Sequence, residues 1–268
     1  MYGGPTGGLG DSVMSGLGWI PDVPDIRDHI LFETRGVIKA KKVLPPMVDL
    51  SSLCRPVYNQ GSIGSCTAQS VAALYQFLLN KQGTPDPLLS RMFLYYVTRE
   101  EEGTHTVDRG ATLRSTLKSI NTFGICTEPT WDYSADKLFT VPVSEAYLEA
   151  EKFQTINYKR IDQNLQDMQA CLSAGYPFVF GFAVYDKFMS DYVKLTGIGS
   201  LPQPGDVMTG GHAVMAVGYN DNSQTFLIRN SWGDKWGMSG YFTLPYNYLS
   251  DVRLAADFWT IELVETGI

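Results

Sequence analysis

A mixed α+β chain, helical in its first half and β-rich in its second, is what the apolar pattern predicts. From Cys66 to Gly124, apolar residues recur three and four apart. Beyond Pro177 they fall instead into short runs rich in Val, Phe and Tyr. Asp221-Asn222 lies between two of those runs, as a hairpin turn would, so the strands are read as antiparallel.

The elements follow in order. Residues 1–45 are read as an extended arm on the main body: a Gly-rich opening, then Trp19-Ile-Pro-Asp-Val-Pro-Asp-Ile-Arg-Asp28, whose prolines disfavour a helix. The apolar Trp19, Ile20, Ile26, Ile30, Leu31 and Phe32 argue that the arm is packed, and the basic patch Lys39 to Lys42 separates it from Pro45. After Cys66, the spacing of Val71, Leu74, Tyr75 and Leu78 predicts a helix stopped near Gly83. Ser90 to Glu102 opens on a Ser cap, and Thr112 to Thr122 carries Leu113, Leu117 and Ile120 before Gly124. Glu145 to Phe153 and Asn164 to Gly175 are two further helices. The strands are Pro177–Tyr185, His212–Tyr219, Thr225–Arg229 and Gly240–Leu244. This divides the chain into the arm (1–45), a mainly helical lobe (46–145) and a mainly β lobe (146–268).

Composition narrows the function classes. The chain has 268 residues, 44% hydrophobic and 18% charged, with a net charge of −7. Without a basic cluster, neither nucleic acid nor an anionic membrane surface is an expected partner. No run reaches the roughly 20 apolar residues of a membrane span. The first twenty residues lack the charged start and apolar core of a signal peptide, which leaves localisation open. Four cysteines allow at most one disulfide if one of them is a working thiol, and three scattered histidines make a metal site or cofactor unexpected.

The most informative stretch is Gln60-Gly-Ser-Ile-Gly-Ser-Cys66-Thr-Ala-Gln-Ser70. A thiol at the first turn of a helix sits where unpaired backbone N–H groups favour a thiolate. Gln60, six residues upstream, offers an amide N–H to an oxyanion forming beside that sulfur. Downstream, Gly210-Gly-His212-Ala-Val sets a histidine at the start of an apolar strand, a firm mount for a base. In Arg229-Asn230-Ser-Trp232-Gly-Asp-Lys-Trp236-Gly237 the Asn230 carbonyl can orient that imidazole, and Trp232 and Trp236 can roof the bond against water.

These pieces resemble the papain-like cysteine peptidases: Gln60-Gly61, Gly64-Ser65-Cys66, His212-Ala213-Val214 with Gly218-Tyr219, and Asn230-Ser-Trp-Gly233 with Trp236-Gly237 and Gly240-Tyr241. The separations, 146 residues from Cys66 to His212 and 18 more to Asn230, suit the family. The resemblance implies a papain-like two-lobe α+β fold with the cleft between a helical lobe and an antiparallel β-barrel-like lobe. It implies Cys66 as nucleophile, His212 as proton carrier, Asn230 as its orienter and Gln60 as oxyanion donor. It also implies Gly110 along the substrate backbone, with Ala111, Thr112, Gly181 and Gly211 near the non-primed pockets. From these small residues a roomy, apolar specificity pocket is expected.

Three departures stand out. Thr67 replaces a usual aromatic residue, and Ile63 replaces a cysteine. The segment expected to supply that cysteine's partner reads Val107-Asp-Arg-Gly110, so the common disulfide is missing. The arm resembles the short Trp-Ile-Pro-Asp leaders of microbial members rather than a long helical prosegment. The expected activity is endopeptidase action on peptides or proteins through a Cys66 thioester, by a monomer whose own arm acts as intramolecular inhibitor. An exopeptidase or transpeptidase on the same fold is the alternative, and a non-catalytic peptide-binding relative is less favoured.

Overall fold

The computed structural model describes residues 16–32, 43–84 and 87–264. The Gly-rich opening at 1–15 and the basic patch at Lys39 to Lys42 lie outside the described residues. The strands are β1 (Met47–Asp49), β2 (Thr155–Arg160), β3 (Phe178–Tyr185), β4 (Met208–Asn220), β5 (Thr225–Arg229), β6 (Tyr241–Pro245) and β7 (Ala255–Val264). The helices longer than one turn are α1 (Cys66–Lys81), α2 (Arg91–Glu101), α3 (Leu113–Thr122), α4 (Ser144–Ala150), α5 (Leu165–Ser173), α6 (Asp191–Thr196) and α7 (Tyr246–Ser250).

Helix starts are set by side chains that accept orphan amides. Ser90 Oγ accepts from Phe93 N at the start of α2, Thr112 from Ser115 N at α3, and Asn164 from Asp167 N at α5. Gly83 and Gly124, both at positive φ, follow α1 and α3 as expected. Helix α1 is buried on nearly every side, because it runs through the middle of the molecule with the other helices on one flank and the sheet on the other.

All strand pairs are antiparallel, in the order β2-β7-β3-β4-β5-β6. Strand β1 pairs with β4 at Gly218 to Asn220, continuing the edge that β3 occupies from Met208 to Ala216. Strand β3 reads as a continuous apolar run because both its faces are covered. Val179 joins the helical core of α1 to α3, while Phe178, Phe180, Phe182 and Val184 fill an aromatic core inside the β lobe. Strand β4 splits likewise: Ala213, Met215 and Val217 face the helices, whereas Val214 and Ala216 face the aromatic core.

The sequence reading omits β1, β2, β7, α6 and α7. Strand β7 escaped because Asp257 and Glu262 interrupt its apolar run, and Asp257 takes a positive φ of 60°. The arm lies on the body where described, yet not all its apolar residues are packed. Leu31 is buried, whereas Ile26 is fully exposed. All four cysteines are unpaired.

Candidate active site

Cys66 is the first residue of α1 and is buried. The turn before it is tied down through Ser65, whose Oγ meets Tyr133 Oη at 2.6 Å and accepts from Gln69 Nε2 at 3.0 Å. Tyr133 Oη also donates to the Gln60 carbonyl at 2.9 Å. Residues 58–60 pair with the loop after β5, through Gln60 N to Ser231 O (2.9 Å) and Gly233 N to Tyr58 O (2.8 Å). That pairing brings Gln60 and Asn230, 170 positions apart, into one network. Ser231 Oγ donates to Gln60 Oε1 at 2.5 Å, and Ser231 N donates to Asn230 Oδ1 at 2.8 Å.

His212 Nε2 lies 2.8 Å from Asn230 Oδ1. That oxygen already accepts from the Ser231 amide, which identifies it as the carbonyl oxygen and makes Nε2 the donor. In the neutral ring Nδ1 then carries the lone pair, and it is buried with no hydrogen-bond partner among the described residues. His212 sits four residues into β4 rather than at the strand's start. The next residue, Ala213, directs its backbone N–H at the Cys66 sulfur. Trp232 stacks on the imidazole at 4.6 Å and 20°, and Trp236 meets Trp232 edge-on at 5.0 Å. Trp232 thus covers one face of the His212 ring, and Trp236 packs against Trp232 rather than on the ring itself.

The arm lies directly over these groups. Gly16 N donates to Gly61 O at 3.0 Å, and Gly16 O accepts from Gln60 Nε2 at 2.9 Å. The Gly18 amide faces the Cys66 sulfur. Trp19 then runs parallel to Ala111: Ala111 N donates to Gly18 O (2.9 Å), and Ile20 N donates to Ala111 O (3.0 Å). Trp19 N also donates to Gly211 O at 3.1 Å. Of the residues expected along the substrate path, Gly110, Ala111, Gly181 and Gly211 all contact arm residues 18–20. Thr112 does not join them, because its hydroxyl caps α3 and donates to Glu102 Oε1.

This cover changes the electrostatics expected of the pair. Burial pushes the Cys66 thiol up to about 11, despite four backbone amides that pull the other way. Burial also lowers His212 to about 4, with the Asn230 hydrogen bond opposing. With the arm in place, burial therefore favours the neutral thiol and the neutral imidazole over their charged forms. Nor is the expected pocket open and apolar: the Trp19 indole fills it, and its Nε1 donates to the buried carboxylate of Asp257 at 3.1 Å.

Three residues of this neighbourhood were given no role in the sequence reading. Asp257 is one, and a lone acid within an apolar run was its only signal. Asp108 is the second: its carboxylate accepts from Gly64 N (3.1 and 3.2 Å) and Tyr95 Oη (2.6 Å), and that hydroxyl accepts from Gly110 N (3.1 Å). These bonds join the two segments that the missing disulfide would have joined. Ser231, which links Gln60 to Asn230, is the third.

Comparison with known proteins agrees with this geometry. The family model described as papain family cysteine protease matches residues 44–258. An uncharacterized peptidase C1-like protein, L477, of Acanthamoeba polyphaga mimivirus is 38% identical over 96% of this chain and 90% of its own length. Cysteine proteinase 3 of Entamoeba histolytica is 27% identical over 87% of this chain and 70% of its own. Among solved structures, xylellain, a cysteine protease from Xylella fastidiosa, superposes with a TM-score of 0.84 at 38% identity, covering 95% of this chain and 98% of that one. A fold of this topology, and relatives of this likeness along nearly the whole chain, place the protein in the papain family of cysteine proteases.

Proposed function

We propose that the protein is an endopeptidase in which Cys66, His212, Asn230 and Gln60 carry the reaction and the arm restrains it. The observation that supports this best is the connected set His212–Asn230–Ser231–Gln60, gathered around one sulfur at a helix start.

As the Cys66 sulfur attacks the scissile carbonyl carbon, its proton passes to His212 Nδ1. The carbonyl oxygen becomes an oxyanion facing Gln60 Nε2 and the Cys66 amide, and each such donor is worth on the order of 3 kcal/mol. The C–N bond then breaks and His212 gives its proton to the leaving amine, which leaves a Cys66 thioester. A water attacks the thioester while losing a proton to His212. Collapse releases the carboxylic acid and returns the proton to the thiol.

Endopeptidase action is favoured because residues 16–20 bridge from Gly61 past the Cys66 sulfur to Ala111, the course of a substrate that continues on both sides of the scissile bond. Restraint is favoured because the arm uses the Gln60 donor and offers the sulfur an amide proton rather than a carbonyl carbon.

The test is hydrolysis of fluorogenic peptides blocked at both termini. Cys66→Ala should reduce turnover to background, and Trp19→Ala should raise it above wild type. Undiminished hydrolysis by Cys66→Ala would refute the nucleophile, and an unchanged rate in Trp19→Ala would refute the restraint.

A further inference from the structure

A chain of hydrogen bonds leads from a buried cation to the turn before Cys66. Arg91 opens α2 and is buried, with its guanidinium between the rings of Tyr58 and Tyr133, 4.3 and 4.4 Å from their centres. Its Nη2 pairs with the Glu128 carboxylate at 3.0 Å, and Glu128 also accepts from Tyr133 N at 2.8 Å. The pair thus balances the buried charge and fixes Tyr133. Another nitrogen of the guanidinium, Nη1, is directed at a neutral partner instead: it donates to Gln69 Oε1 at 3.2 Å.

Each later link has one direction. With its oxygen held by Arg91, Gln69 presents Nε2, which donates to Ser65 Oγ at 3.0 Å. Ser65 Oγ directs its own proton to Tyr133 Oη at 2.6 Å, because Tyr133 Oη gives its proton to the Gln60 carbonyl at 2.9 Å. A guanidinium can only donate and a carbonyl oxygen can only accept, so the two ends set the sense of every bond between them. The first bond is charge-assisted, and bonds aligned in one sense polarise one another.

Tyr133 Oη, near the end of this chain, holds both segments that carry the proposed oxyanion donors. One is the backbone of Gln60, and the other is Ser65, the N-cap of α1 directly before the Cys66 amide. Resting on the reading of Gln60 and the Cys66 amide as those donors, we propose that Arg91 is a positioning residue of this peptidase. Acting through Gln69, Ser65 and Tyr133, it sets the spacing of the two donors without touching the reacting atoms. The effect falls on the transition state, where the oxyanion exists, and spares substrate binding.

The test uses the full chain and the doubly blocked fluorogenic peptides. Arg91→Met should lower kcat about 10-fold with KM within about twofold of wild type. Gln69→Leu cuts the chain at the same link but keeps the Arg91–Glu128 pair, so it decides the matter even where an unpaired Glu128 unfolds Arg91→Met. It should show the same loss, as should Tyr133→Phe. Because the links act in series, Gln69→Leu combined with Tyr133→Phe should lose no more than the worse single variant. Alkylation of Cys66 by iodoacetamide forms no oxyanion, and its rate should stay that of wild type throughout.

An unchanged kcat in Gln69→Leu overturns the proposal. So do losses that multiply in the double variant, and so does a loss shared equally by alkylation, which would mark a general loosening of the fold. Absence of turnover in the wild type would count against the peptidase reading instead. The chain is then decided by nitrogen-15 NMR of the Gln60 side-chain amide, identified by its loss in Gln60→Ala. Its signals should shift in Gln69→Leu, and unmoved signals overturn the proposal.

Discussion

One oxygen, Asn230 Oδ1, sets the protonation pattern of the candidate site. It accepts from the Ser231 amide and from His212 Nε2, which leaves the lone pair of the imidazole on Nδ1. Asn230→Ala should therefore lower kcat by roughly 10-fold or more with little change in KM, because it frees the ring to turn and to change tautomer. Gln60→Ala should cost about 100-fold in kcat in the same steady-state assay, the loss expected for the oxyanion donor proposed above. These residues were legible in the sequence because each needs a particular chemistry beside a Gly, Ser or Trp that shapes its local backbone. Ser231, Asp108 and Asp257 were not legible. A serine in a loop and an aspartate between two segments have many ordinary uses, and only their partners reveal the present one.

At the scale of elements, helix α2 stands in for the missing disulfide. Tyr95 Oη donates to Asp108 and accepts from Gly110 N, and Asp108 in turn accepts from the Gly64 amide before α1. Burial and the Asp108 carboxylate together push the Tyr95 phenol far above its usual range, so it stays a donor at any working pH. Tyr95→Phe would leave the buried Gly110 amide and one oxygen of the more exposed Asp108 carboxylate each short of a partner. Urea unfolding should show a loss of about 1–3 kcal/mol. Five of the helices, α1 to α5, were readable from period, caps and stops, and four strands from apolar runs. Strands β2 and β7 were not, because their polar residues serve the arm: Arg160 and Asp257 both bond to arm residues. A pattern set by a distant partner carries no local period.

At the scale of the molecule, the arm is held by charge as well as by packing. Arg114 grips Asp28 through two bonds of 3.0 and 2.6 Å, and Arg160 reaches both Asp28 and Asp257. Arg114→Ala should speed alkylation of Cys66 by iodoacetamide, measured by mass spectrometry on the full chain, if the arm shields that thiol.

Two buried groups give this assembly opposed pH dependences. Burial, then the nearby Asp257 carboxylate, raise Asp22 from 3.8 to about 6, against the pull of the Arg114 amide, Trp259 and the Arg114 charge. The folded state thus favours protonated Asp22, and that stability, full below about pH 4, is lost as pH rises to about 6. His212, lowered from 6.5 to about 4, behaves oppositely: its stability is present above 6.5 and lost as pH falls towards 4. The wild-type melting temperature should therefore change little between about pH 4 and 6, where the two slopes overlap. Asp22→Asn should unmask the His212 slope and melt at lower temperature as the solution is acidified. A flat profile in Asp22→Asn would show that the two groups do not offset each other.

The family, five helices, four strands and the proposed nucleophile, base and orienter were all present in the linear chain, because each depends on short motifs whose chemistry is local. The state of those groups was not. A thiol at a helix start reads as reactive until residues 16–20 are laid over it, and then burial outweighs the amides that favour its ionisation. The space over Gly181 and Gly211 likewise reads as empty and apolar until Trp19 and Asp257 meet there, from positions 238 residues apart. Desolvation and long-range hydrogen bonds depend on which segments become neighbours, and that is decided only when the chain is folded.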